Sequence, residues 1–153
     1  DRFLFKQTLR YPSLEEERRI IASHGARHGM PDPAAMGVSV VADAEEINEA
    51  VATVGAIRLA DEVTNYVAAL IRATRETADL ETGASPRAGA MLALAARARA
   101  AVEGRDYVIP DDVKALALPA LRHRVILSPA AEIEGHTVDD TLTALTERIE
   151  APR

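Results

Sequence analysis

A mainly α fold, a small helical bundle preceded by one short strand, is what this sequence predicts, and three observations carry that expectation. Thirty of the 153 residues are alanine and only five are aromatic, a balance that suits closely packed helices better than an all-β core. Apolar residues recur at helical spacing in several stretches, and most of those stretches begin at a recognisable capping residue and end at glycine or proline. The length is that of one ordinary domain.

The elements follow in order. Phe3, Phe5 and Leu9 fall partly on one side of an alternating pattern, with Lys6 and Thr8 across from them, which predicts a short strand that Tyr11 and Pro12 break. Ser13 with Glu16 is a capping box, opening a helix that ends near Gly25. Residues 26–42 show no helical period and carry Gly29, Pro31, Pro33 and Gly37, as a linker would. Asp43 with Glu46 caps a helix whose Ile47, Ala50, Val51 and Val54 form one stripe up to Gly55. Val63, Tyr66, Val67, Leu70, Ile71 and Thr74 mark the inner face of the next helix.

A turn over Thr82 to Pro86 leads into a long alanine-rich helix, with Ser85 as its cap and Pro86 in its first position. Met91, Leu94, Ala98 and Val102 give its expected inward stripe, and Gly104 stops it. Pro110 and Asp111 open a helix with Val113, Leu116 and Ala117 inside, which Pro119 ends or kinks. Val125 to Leu127 suits a brief strand. Thr137 with Asp140 begins a last helix carrying Val138, Leu142, Leu145 and Ile149.

Composition also narrows function. The net charge of −6 argues against binding a phosphate backbone, so no nucleic-acid partner is expected. No uncharged apolar run is long enough to span a membrane. Arg2, Lys6 and Arg10 interrupt the opening residues, so no signal peptide is expected, and a start at Asp1 instead of methionine suggests a piece of a longer protein. There is no cysteine for a disulfide or a thiolate metal site. His24 and His28 stand four apart but straddle Gly25, so they would not share a helical face, and no metal site is expected. Sequence motifs for a phosphate-binding loop, a dinucleotide fold, a zinc protease or a serine hydrolase are absent.

Gly83-Ala84-Ser85-Pro86-Arg87 is the most unusual arrangement. Ser85 and Pro86 fix a helix start, which puts Arg87 in the first turn, where a cation opposes the helix dipole by about 0.3–1 kcal/mol. The residue becomes sensible if an anion arrives there, because free N–H groups and a forked guanidinium can hold a phosphate together. The plainer alternative is a surface arginine paired with Glu81 or Asp79. Its place four residues before Met91 would turn Arg87 toward whatever the bundle packs against. Arg2, just before the expected strand, is a second candidate. The basic run Arg122, His123, Arg124 suits a helix C-terminus for local electrostatic reasons, and Arg105 with Asp106 suits a turn.

Taken together, Asp1-Arg2-Phe3-Leu4, Tyr11-Pro12-Ser13 with Glu15 to Glu17, Gly83 to Arg87, Gly104 to Val108 with Pro110 to Val113, and Leu121 to Arg124 resemble MoxR-family AAA+ ATPases in order and approximate spacing. The resemblance maps onto the C-terminal, lid-containing part of such a protein. It implies that residues 1–11 are the last segment of an ATPase core, 12–42 a connecting helix and linker, and 43–153 the helical lid. Arg87 would correspond to the sensor-2 arginine that reaches the ATP phosphates, with Ser85 and Pro86 shaping that site, and Arg2 to an arginine finger completing a neighbouring subunit's site. ATP and Mg would belong to the intact protein, with none bound by this stretch alone. The implied partners are its own ATPase core, neighbouring subunits of a ring, expected to be a hexamer, and a client or a von Willebrand factor A domain protein, all in the cytoplasm. A free-standing helical interaction module without nucleotide is the competing expectation.

Overall fold

The computed structural model describes residues 2–25 and 32–152. Among them, seven α-helices and one two-stranded sheet form. The chain divides into two compact units, one made of residues 8–47 and the other of the described parts of 1–7 and 48–153.

In the first unit, α1 (Leu14–His24) begins at the expected capping box. The Glu16 carboxylate accepts from the Ser13 amide at 2.7 Å, and the Ser13 hydroxyl accepts from the Glu16 amide at 3.4 Å. Past the residues left undescribed lies only a single 3-10 turn, Ala34–Met36, in the stretch expected to be a linker.

α2 (Ala44–Ala56) starts at Asp43, whose Oδ1 accepts from the amides of Glu45 and Glu46, both at 2.9 Å. The second unit is otherwise built on α3 (Asp61–Glu76), α4 (Pro86–Val102), α5 (Pro110–Leu121) and α7 (Val138–Arg148). The buried residues of α3 are the six that its periodicity picks out. α4 packs on α3 and α5, while α7 covers α3 and α5.

α4 departs from expectation in its face. Its buried positions are Ala88, Gly89, Leu92, Ala95, Ala96 and Ala100, whereas Leu94 and Val102 are exposed. Small side chains let backbones approach, so the alanine face, with Gly89 against Ile71, forms the contact and the bulkier residues are left outside. α4 ends in a Schellman motif: Arg105 N–H donates to the Ala100 carbonyl at 2.9 Å and Gly104 N–H to Ala101 at 3.0 Å, with Gly104 at φ 72°. Of the two expectations for Pro119, the ending is not met: the proline lies inside α5, which runs on to Leu121. A five-residue α6 (Pro129–Ile133) that the sequence reading did not anticipate begins at Ser128, whose hydroxyl accepts from the Ala131 amide.

The strand expected over Phe3 to Leu9 does not form. A single extended segment has no neighbouring strand to complete a ladder, and its polar groups go elsewhere. Lys6 N–H donates to the Pro119 carbonyl at 2.9 Å, and the carbonyls of Phe3, Leu4 and Lys6 accept from side chains that follow α5. The strands that do form are β1 (Leu80–Thr82) and β2 (Ile126–Leu127), paired antiparallel with Leu80 opposite Leu127 and Thr82 opposite Ile126.

Candidate functional site

The β1–β2 ribbon decides what sits together. Because the strands are antiparallel, the end of β1 lies beside the start of β2, so the Gly83–Arg87 loop and the Arg122–Val125 turn leave the ribbon side by side. Between them lies a cleft of about 350 Å³ lined by residues that include Ser85, Arg87, His123 and Arg124.

Each residue of the first loop has a local reason. Thr74, fully buried in the last turns of α3, donates its hydroxyl to the Ile71 carbonyl at 2.7 Å and accepts from the Ala84 amide at 2.9 Å. That bond draws the loop onto α3 so tightly that a Cβ at Gly83 would stand 2.5 Å from the Thr74 carbonyl oxygen. Only glycine fits. Ala84 is completely buried, and Ser85 is extended, at φ −79° and ψ 162°, to turn the chain into α4. Pro86 occupies the first helical position, where its missing N–H costs nothing. The Ser85 hydroxyl makes no capping bond, so the first turn of α4 has no side-chain cap of its own.

Arg87 follows in that first turn and is exposed. The inward-facing stripe expected to carry it is not the buried one, so it lies on the surface facing the cleft and not in the packed interface. The pairing with Glu81 or Asp79 is not formed, and among the described residues no carboxylate pairs with Arg87.

Arg124 supplies the second cation. Its guanidinium donates to the carbonyls of Ala120, Phe3 and Leu4, the last at 3.3 Å, and lies 3.2 Å from the Met91 sulfur, one turn along α4 from Arg87. Burial lowers the Arg124 pKa, and the charge of Arg87 lowers it further. Among the described residues, none that lines the cleft carries a carboxylate. Two guanidiniums, one of them partly desolvated, therefore share a concavity beside an uncapped helix N-terminus, a combination that suits an oxyanion of the phosphate type.

Arg2 is exposed and sits one residue before Phe3, whose carbonyl accepts from both Arg124 and His123. The residue that follows it is thus tied to the same cationic turn. His123 Nε2 is 3.1 Å from that carbonyl, which can only accept, so this nitrogen carries the proton. Arg122 reaches the Lys6 carbonyl at 3.5 Å and forms an ion pair with Asp139 at 3.0 Å.

His24 Nδ1 meets the Ser23 hydroxyl at 2.6 Å, while His28 lies outside the described residues. No cluster of three metal-ligating side chains occurs among the described residues, and none of their helices is long and apolar enough to cross a membrane.

One buried network escaped the sequence reading. Arg105, expected to serve a turn, grips the buried Asp112 through two bonds, at 2.8 and 2.7 Å, and Arg99 adds a contact at 3.4 Å. The Asp112 carboxylate also accepts from the Ile109 amide at 3.0 Å, which closes the start of α5. Burial pushes this carboxyl up, but the Arg105 hydrogen bonds, the Ile109 amide and the two guanidinium charges outweigh it and leave the pKa below its ordinary value. A seven-residue separation across a turn gives no sequence period that would reveal the pair.

Comparison with known proteins places this architecture. Residues 72–145 match the AAA lid domain family, a stretch that contains Arg87 and the basic turn together. The chain is 35% identical to Chaperone MoxR1 of Mycobacterium tuberculosis over its whole length and 41% of that protein's. It is 33% identical to the uncharacterized protein YeaC of Bacillus subtilis over 99% of the chain and 46% of the relative. A crystal structure of a candidate ATPase from Cytophaga hutchinsonii superposes with a TM-score of 0.82 at 25% identity, over 99% of this chain and 47% of that one. The chain thus spans a little under half the length of these relatives.

Proposed function

The chain belongs to the MoxR family of AAA+ ATPases, whose lid region it carries, and from that premise we propose that its cationic cleft grips the phosphates of ATP held by an ATPase core. The observation that carries this reading is that Arg87 and Arg124 share one concavity at the start of α4, with no carboxylate among the described residues that line it. Local stability alone would disfavour a cation at that helix end. An anionic ligand removes the conflict, because it satisfies the dipole, the uncapped first turn and both guanidiniums at once.

In this reading Arg87 acts as the sensor-2 arginine, and its fork donates to phosphate oxygens bound on the core of the same protein. Ser85 and Pro86 hold the helix start in place, and Gly83 lets the loop lie against α3. Arg2 acts as the arginine finger toward a neighbouring subunit of a ring, proposed to be hexameric, where a guanidinium offsets charge on the transferred phosphoryl group. Mg and the phosphate-cradling loop belong to the core, since among the described residues the cleft is lined by no carboxylate that could hold the metal. Bound ATP supplies the transferable phosphoryl group; this chain supplies charge, orientation and a moving lid.

The proposed output is mechanical. A lid that closes on nucleotide and relaxes after hydrolysis can remodel or assemble a client, in keeping with the chaperone name of the mycobacterial relative, and a von Willebrand factor A domain protein is the proposed partner. Such a machine would work in the cytoplasm.

Phosphate release by a protein that joins this lid to its ATPase core tests the reading. Arg87→Ala should cut turnover by about tenfold or more, as loss of a charge-assisted contact to phosphate would. Unchanged turnover would remove the sensor role and leave a helical interaction module as the better account.

A further inference from the structure

We propose that Arg122, His123 and Arg124 act together as a clamp on the backbone of residues 3–6, and are thereby positioning residues for Arg2. Three consecutive side chains reach three carbonyls of one extended segment: His123 and Arg124 that of Phe3, Arg124 that of Leu4, and Arg122 that of Lys6. The segment also donates in return, from Lys6 N–H to the Pro119 carbonyl at 2.9 Å. These partners stand more than a hundred positions apart in sequence, so a helix finishing itself with nearby cations does not explain them. That simpler role accounts only for the bond from Arg124 to the Ala120 carbonyl.

The clamp reads carbonyls and not side chains. Phe3 is 77% and Phe5 41% exposed and only Leu4 is half-buried, so apolar burial anchors little of this stretch and charge-assisted bonds to its backbone contribute the larger share. The clamp is itself braced: Arg122 is paired with Asp139 at the start of α7, and Arg124 touches Met91 of α4. Arg2 leaves the clamped Phe3 directly, so its place is set by the lid. Arg124 is also a wall of the cleft that holds Arg87, so a single side chain joins the proposed phosphate site to the segment bearing the proposed finger.

The functional consequence rests on the reading of Arg2 as a finger; the clamp does not. Amide exchange in the 153-residue chain tests the clamp without nucleotide. Arg124→Gln and His123→Ala should each speed exchange of the Lys6 amide by about tenfold or more, while amides of Leu70 and Leu92 in the core keep their protection. If the basic run merely finishes α5, the Arg122 amide will lose protection and that of Lys6 will not, which overturns the proposal.

A second arm avoids the partly buried Arg124. Lys6→Pro deletes the amide that meets Pro119, and fixes φ as well, on an exposed residue. The chain has no cysteine, so Arg2→Cys offers a single thiol for a nitroxide. Its motion should loosen in the Lys6→Pro background, and equal motion with and without that change would contradict a clamp. A failed finger reading would show separately, as unchanged ATP turnover in Arg2→Ala of the core-bearing protein with the exchange results intact.

Discussion

Arg124 has its pKa lowered by burial and by the nearby charge of Arg87, so the two guanidiniums occupy one cleft in mutual opposition. Among the described residues, no carboxylate lines that cleft to neutralise them. Such an arrangement costs folding energy that a bound anion would return, so stability and anion binding should change in opposite directions when the Arg87 charge is altered, whereas Arg124 also holds the Phe3 and Leu4 carbonyls.

Arg87→Glu makes the trade explicit. A carboxylate in the first turn of α4 suits the helix dipole and relieves the opposition to Arg124, so the variant should gain about 0.3–1 kcal/mol in urea unfolding. Its affinity for inorganic pyrophosphate should vanish in a calorimetric titration. In the parent chain, pyrophosphate at ten times its dissociation constant should stabilise the fold by about 1.4 kcal/mol.

Gly83→Ala should be costly without touching any charge. The new methyl would meet the Thr74 carbonyl and the Arg75 backbone at distances that real side chains do not adopt, so the loop must lift from α3. A loss of about 1–3 kcal/mol is expected, together with weaker pyrophosphate binding, because the start of α4 moves with the loop. Equal stability of the two proteins in urea would contradict the close approach.

Acid should attack the lid through Asp112. Its folded pKa lies below the ordinary carboxylate value, so its contribution is present above the unfolded pKa of about 4 and is lost as pH falls through the folded pKa. Asp112→Asn should cost about 2–3 kcal/mol at pH 7, because Arg105 and Arg99 lose their counter-charge, and should flatten the stability profile below about pH 4. Parallel pH profiles for parent and variant would show that this pair does not drive acid sensitivity.

α3 begins at Ala60, whose side chain makes no capping bond although its backbone is in the capping conformation, φ −68° and ψ 154°. Ala60→Ser places a hydroxyl where the first free amides point and should add about 1 kcal/mol in thermal or urea unfolding, with no change in anion binding.

How much of this is legible in sequence depends on what each residue reports. α3 is read position by position, because its apolar side chains are large and its polar ones fall elsewhere, so burial and periodicity coincide. α4 is located by Ser85, Pro86 and Gly104 but turned the wrong way, since alanine carries almost no signal of which face is inside. The two or three residues of each strand are too short to show alternation, and β1 was not separated from its turn. Arg87 is visible as a cation in an unfavourable place. Arg124 is not, because only the ribbon between β1 and β2 brings it beside Arg87, and only the opening segment shows what else it holds.

The most direct measurement is a structure of this lid joined to its ATPase core with a non-hydrolysable ATP analogue. The account predicts the Arg87 guanidinium about 3 Å from a phosphate oxygen, with Arg124 still holding the Phe3 and Leu4 carbonyls. An Arg87 turned away from the nucleotide and paired with an acid of its own chain would contradict it.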